Sequence, residues 1–250
     1  MLKIDRIINS NRTAMGTQTF FAIVFVGRQG SSYLQGLIDS HPDATCEGEL
    51  FSPTVRLLAD LVRRRTISYR NSRQRDVAAY LSRKLHKKKS AAIGFKMPYL
   101  SLVEHPEARE AFEAFGYKVI RLSRDNLLDQ YISFKLAQIN NAWRSDRGSM
   151  KITHFAAEPE DVAEAFQKWT EWDSRLAQLV ETLPNLHVTY EELVDGSGVF
   201  RSLEFLNLRK VPLHSPFRRQ RSGSQSDILE NYAELKDHFA RTQWARFFVG

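Results

Sequence analysis

What this chain lacks narrows its chemistry before any motif is read. It has one cysteine, Cys46, so no internal disulfide can form, which fits a reducing compartment and points to the cytoplasm. Its longest apolar run, Phe20 to Val26, falls far short of the ~20 residues that span a bilayer. The N-terminal MLKIDRIINSNRTAMG has no apolar core of the kind a signal peptide carries. The histidines are scattered without ligand spacing, so no metal site is expected. Internal repeats, low-complexity tracts and linker-like stretches are also missing. The expectation is one domain over 1–250, with its core at about 20–240.

Acidic residues are the other shortage. Against 36 Lys and Arg stand 29 Asp and Glu, a formal charge of +7, which implies an anionic partner without naming it. The surplus gathers at Arg63, Arg64 and Arg65 and from Arg83 to Lys89 (RKLHKKK). Such runs are solvated helix ends in most proteins, and otherwise suit nucleic acid, acidic glycan or a membrane surface. Neither run carries a stacking aromatic motif, so nucleic acid is not expected. Peripheral membrane contact through the basic clusters stays open.

What is present is an alternation of strands and helices. Phe20–Val26 (FFAIVFV) reads as a strand buried on both faces, the parallel-sheet kind. Ala44 to Glu47, Ala91 to Met97, Tyr117 to Leu122 and Leu186 to Tyr190 follow as strands. Helices are expected from Tyr33 to about Ser40, over Pro53 to Val62, Gln74 to Leu85, Glu104 to Phe115, and from an Asp125 or Asn126 cap to about Asn141. Others run from Pro159 through Val162, Phe166, Trp169, Leu176, Val180 and Leu183, from Val199 to Leu206, and from Ser226 to Phe239. Met150 to Ala157 reads as a loop. The order implies an α/β fold: a P-loop-like three-layer α/β/α sandwich with a mainly parallel central sheet.

Chemistry concentrates after the first strand. Gly27-Arg28-Gln29-Gly30-Ser31-Ser32 joins a strand to a helix. Glycines there let the backbone approach an anion, and the helix N-terminus offers N–H donors and a partial positive charge. Ser31 and Ser32 add hydroxyls, and Arg28 a forked cation. The Walker lysine is missing, so a small anion suits the loop better than a magnesium triphosphate. A second grip is suggested by Arg124, just past the strand YKVIRL, with Ser133 two turns into the next helix. A P-loop nucleotide kinase or hydrolase, or a non-catalytic anion- or nucleic-acid-binding protein, are the alternatives.

Together these segments resemble the sulfotransferases that use 3′-phosphoadenosine 5′-phosphosulfate (PAPS). The residues that carry the likeness are Arg28-Gln29-Gly30-Ser31-Ser32-Tyr33-Leu34 with His41-Pro42, and Leu122-Ser123-Arg124-Asp125-Asn126 with Ser133. Gly48-Glu49-Leu50-Phe51, Gly94-Phe95-Lys96-Met97, and Val188 to Leu193 followed by Leu203 to Leu206 are similar to segments of the bacterial trehalose-sulfating type. Arg219-Gln220-Arg221 with Asn231 to Leu235 resembles enzymes that sulfate lipopolysaccharide or nodulation factors. The similarity spans roughly Phe20 to Leu235. One departure stands out: many cytosolic members carry Lys-Ser-Gly-Thr-Thr-Trp where this chain has Arg-Gln-Gly-Ser-Ser-Tyr, which favours the carbohydrate branch.

The resemblance implies PAPS as donor, PAP as product, no metal, and a carbohydrate or glycolipid acceptor. The first loop, Arg28, Gln29, Gly30, Ser31, Ser32 and Tyr33, would take the 5′-phosphosulfate. Arg124 and Ser133 would take the 3′-phosphate, with Arg219 and Arg221 reaching it or the adenine from the tail. Arg28 would also stabilise the leaving oxygen. The acceptor needs a base; the resemblance points to Glu49, with Glu47 as rival. In an extended strand the two share one face, so spacing does not separate them. Lys96 would position the sulfuryl group or acceptor. Trp143 would flank a sugar or line the rim, whereas the Phe166 and Trp169 stripe reads as core. Cys46 reads as a small buried residue, since no histidine has a sequence claim to activate it.

Overall fold

The computed structural model describes residues 18–51, 69, 76–143, 152–217 and 223–249. The helix expected over Pro53 to Val62, the arginines at 63–65, and Arg219 and Arg221 lie outside the described residues. The chain forms two compact units, 1–123 with 175–215, and 124–174 with 216–250.

The first unit contains the sheet. β1 (Thr19–Phe25), β2 (Ala44–Glu49), β3 (Ala92–Pro98), β4 (Lys118–Ser123) and β5 (Asn185–Thr189) stand in the order β2-β3-β1-β4-β5. All of these pairings are parallel, with flanking helices, as the alternating pattern predicts. β1 is central, and its residues Phe20 to Phe25 are buried, which is why it carries no polar alternation. The strand order reverses at β1, so the loop that leaves it sits at the switch point, where open α/β sheets bind ligands.

Each face of the sheet has its own cover. Phe21, Ile23, Ile120, Leu122 and Val188 pack with Leu34 and Ile38 of α1 (Ser31–Asp39) and with Leu203 and Leu206. Gly94 leaves room for that packing, since a Cβ there would lie 2.4 Å from the Phe21 ring. Behind the sheet, Phe95 meets Phe51 and Phe112, and Phe20 meets Tyr117. Those contacts sit under α2 (Val77–Leu85), whose first turn is capped by Asp76.

Helix limits depart from expectation at two places. The helix expected over Glu104 to Phe115 starts at Glu107 as α4 (Glu107–Ala114), and a separate short helix that the pattern did not suggest, α3 (Tyr99–Glu104), precedes it. Pro106 is the cause: it disfavours helical geometry at His105, whose φ is −128°, and has no N–H to continue the ladder.

In the second unit, α5 (Leu127–Ile139) is capped by Asn126, and the chain then enters α6 (Pro159–Val180). The expected Ser226 to Phe239 helix divides into α9 (Gln225–Ile228) and α10 (Tyr232–Phe239), after α7 (Tyr190–Asp195) and α8 (Ser197–Phe205) of the first unit. Between α9 and α10, Leu229 turns extended and forms a parallel bridge with Phe155. The segment expected as a loop is therefore anchored, within its described residues, at Phe155 by this bridge and at Ile152 and Ala157 by the side chains of Asn140 and Asn231. Phe166 packs on Phe239, Trp244 and Phe247, and Trp169 is buried, so that stripe is core. Among the described residues, no helix is long and apolar enough to cross a membrane.

His86 lies against Phe20, Phe115 and Tyr117, and burial pushes its pKa from 6.5 down to about 4. Between those values the unfolded chain binds more protons than the native one, so stability falls as pH drops through that window and this contribution is complete above it. We expect the urea midpoint of His86→Phe to fall less than that of the wild type between pH 6.5 and 4.5. Parallel declines would remove His86 as the cause.

Candidate functional site

The β1–α1 connection is built from unusual backbone. Gly27 has φ 149°, Arg28 57° and Gly30 83°, the region that L side chains rarely adopt. Arg28 occupies it at a cost of about 1–2 kcal/mol. Its neighbour Gln29 is 2% exposed, and its side-chain carbonyl accepts the Val26 N–H at 2.8 Å, pinning the turn to the strand. Gly30 is the N-cap of α1, without a side-chain cap bond. A Cβ at Gly30 would meet Tyr190 Cδ2 at 2.7 Å. The turn thus presents the first N–H groups of a nine-residue helix beside Ser31, which is buried, and Ser32 and Tyr33, which are half-buried. Backbone of this kind is able to cradle a tetrahedral anion.

A charged chain runs along the same edge. Lys96, in β3, is 5% exposed. Its ammonium donates to Ser32 Oγ at 2.9 Å, pairs with Glu49 Oε1 at 3.3 Å and lies 5.4 Å from the Phe25 ring centre. Burying an ammonium is tolerated only with partners of this kind. Lys96 is therefore an interior cation between the β1–α1 turn and a carboxylate.

Glu47 and Glu49 part company. Ladder register is regular through Glu47 opposite Phe95, then shifts so that Glu49 stands opposite Lys96. This bulge at Gly48 inserts one residue, so alternation no longer holds. Glu47 instead pairs with Lys88 at 2.6 Å. The expectation that both carboxylates share a face is corrected: Glu49 joins Lys96 and Ser32, and Glu47 does not. His41, which carries part of the resemblance, is 2% exposed. Its Nδ1 accepts the Asp43 N–H, and its Nε2 donates to the Arg209 carbonyl, so it braces the end of α1. Cys46 is buried, and burial, with Asp39 nearby, raises its thiol pKa, which opposes thiolate chemistry.

The second unit contains the other expected grip. Arg124 is 7% exposed, and its Nη2 donates to Asp129 Oδ2 at 3.0 Å. Asn126 accepts the Asp129 N–H as the cap of α5, and Ser133 lies half-buried further along that helix. Trp143 is 47% exposed, its ring edge against Phe134, which in turn meets Trp169. Among the described residues there is no group of three or more His, Cys, Asp and Glu able to hold a metal.

Sequence reasoning missed two participants. In the sequence Tyr190 carries no signal beyond the late strand and helix, yet it packs on Gly30. Asp129 reads there as one more helix residue. Its distance of five residues from Arg124 was the available signal, since a capping turn brings such pairs together.

No protein-family model matches the chain. It is 27% identical to Nodulation protein H of Rhizobium tropici, over 91% of this chain and 92% of that protein. With Nodulation protein H of Rhizobium meliloti (strain 1021) the identity is 28%, over 91% and 94%. Its fold matches that of a sulfotransferase from Alicyclobacillus acidocaldarius with TM-score 0.51 and 17% identity, over 89% of this chain and 91% of that one. It also matches mouse sulfotransferase SULT7A1 complexed with PAP, with TM-score 0.50 and 12% identity, over 98% and 92%.

Gly30→Ala meets both a left-handed φ and the Tyr190 ring. We expect it to lower unfolding free energy by about 1–3 kcal/mol, read as a shifted denaturant midpoint. An unchanged midpoint would mean that the turn relaxes freely.

Proposed function

We propose that this chain, as a member of the PAPS-dependent sulfotransferase family, transfers a sulfuryl group from PAPS to a hydroxyl of a carbohydrate or glycolipid. The observation that carries this reading is the Ser32–Lys96–Glu49 chain, which joins an anion cradle to a carboxylate able to take a proton. The likeness to Nodulation protein H proteins supports a carbohydrate acceptor, in line with the tail segment's resemblance to enzymes that sulfate nodulation factors. A cytoplasmic setting accords with a buried free thiol at Cys46.

The loop fits the donor by its chemistry: glycine-bearing backbone that admits an anion, helix N–H groups, and the cations Arg28 and Lys96. Arg124 and Ser133 would hold the 3′-phosphate. PAPS supplies the sulfuryl group and leaves as PAP. Glu49 accepts the proton of the acceptor hydroxyl as its oxygen bonds to sulfur. Arg28, the loop N–H groups and the Lys96 ammonium stabilise the charge that gathers on the departing phosphate oxygen. Lys96 also aims Glu49 through their ion pair. Glu47, drawn away by Lys88, is left out of the base role.

Transfer of radiolabelled sulfate from PAPS to a panel of glycans and glycolipids tests the activity. Glu49→Gln should lower turnover by about 10²-fold or more, the usual contribution of a general base, while PAP affinity stays within a factor of about three. Glu47→Gln should retain most of the turnover. Equal activity of Glu49→Gln and wild type would remove Glu49 as the base. Arg28→Ala and Arg124→Ala should each weaken PAP binding by about 1.5–3 kcal/mol in calorimetry. Unchanged affinity in both would overturn the assignment of the two grips.

A further inference from the structure

Gln225 opens the four-residue α9 and is 2% exposed, although no role in catalysis or folding is evident from its sequence neighbours. Both ends of its amide are engaged. Nε2 donates to Asp129 Oδ1 at 3.0 Å and to the Phe247 carbonyl at 2.9 Å, with Asn126 Oδ1 further off at 3.4 Å. Oε1 accepts the Val249 N–H at 3.1 Å. Asn126 Nδ2 donates to the same Phe247 carbonyl at 3.0 Å. Asp129 therefore has one oxygen on Gln225 and the other on Arg124. An NH₂ group has two hydrogens, and both short bonds are spent on fixing this carboxylate and the chain end.

The arrangement has a consequence for anion binding. A carboxylate beside a phosphate-binding arginine repels the ligand, so it is worth keeping only if it fixes where the guanidinium points. Guanidinium–phosphate recognition is directional, and a misaimed fork loses its bidentate contact.

We propose that Gln225 is a positioning residue: through Asp129 it holds Arg124 in the orientation that receives the 3′-phosphate, and it ties that grip to the seating of the C-terminal segment 245–249. This rests on the reading of Arg124 as the 3′-phosphate ligand. Satisfied buried polar networks are rigid, so the guanidinium is oriented before ligand arrives and less ordering is left for the binding step. The 3₁₀ turn Ala245–Phe247 places the Phe247 carbonyl, and the Phe247 ring packs on Phe166. Displacement of the chain end would thus be felt at Arg124 through one glutamine.

The test compares calorimetric affinities for PAP and for adenosine 5′-phosphate, which lacks the 3′-phosphate, in wild type, Gln225→Met and Asp129→Asn. The wild type should prefer PAP by at least about tenfold. Gln225→Met is close in volume and adds no charge, but cannot donate to Asp129. It should cut that preference about tenfold while adenosine 5′-phosphate binds within about twofold of wild type. Asp129→Asn should cut it as well; it carries the same readout if Gln225→Met does not fold. A preference unchanged or raised in the folded variants, or equal loss of both nucleotides, overturns the positioning role. A wild type with no preference for PAP overturns the 3′-phosphate reading itself, and the positioning role with it.

Discussion

Lys96 carries a full charge to a place where water scarcely reaches, at 5% exposure, and that cost governs its surroundings. An unpaired buried ammonium would lose its proton or destabilise the strand that carries it. Pairing with Glu49 and donating to Ser32 remove the penalty. The same two bonds fasten the edge strand β2, through Glu49, and the first turn of α1, through Ser32, to the interior of the sheet. The chemistry proposed for the site and the solvation of this one cation are therefore a single requirement.

The Gly48 bulge is how the backbone meets it. A regular strand would put Gly48 opposite Lys96 and send Glu49, with Glu47, to the other face of the sheet, away from Lys96. Inserting one residue turns Glu49 to Lys96 and leaves Glu47 to Lys88. A second local distortion does comparable work at β1. Three left-handed residues fold the chain back on itself, Gln29 clamps the turn, and Tyr190 closes against Gly30. Strain of this kind persists where the surrounding packing over-determines it. In the second unit the corresponding device is a hydrogen-bond network, in which Asn126, Asp129 and Gln225 fix the guanidinium of Arg124.

Long buried strands and the glycine turn were legible because their signals are local. FFAIVFV can satisfy its side chains only inside a sheet, and Gly-Arg-Gln-Gly-Ser-Ser between such a strand and a helix admits few conformations. The strand limits came within one residue for β1, β3, β4 and β5, and β2 starts where expected and runs two residues further, to Glu49. The helix breaks at Pro106 and Leu229 were missed because apolar spacing continued across both. In the first case proline's missing donor overrode that spacing, and in the second an extended residue engaged in a bridge did so.

Sequence by itself determined the alternation of elements, the parallel sheet, the glycine- and serine-bearing turn after β1, and the pool of candidate carboxylates and cations. Tertiary structure alone decided which of them meet. Glu49 rather than Glu47 faces Lys96 because a ladder register is a property of two strands, and Gln225 reaches Asp129 across 96 positions of chain because only a folded core brings them together. Propensity and periodicity act over a few residues. Burial, charge pairing and hydrogen-bond satisfaction act on whatever the fold makes adjacent, and so the identity of partners lies beyond any local pattern.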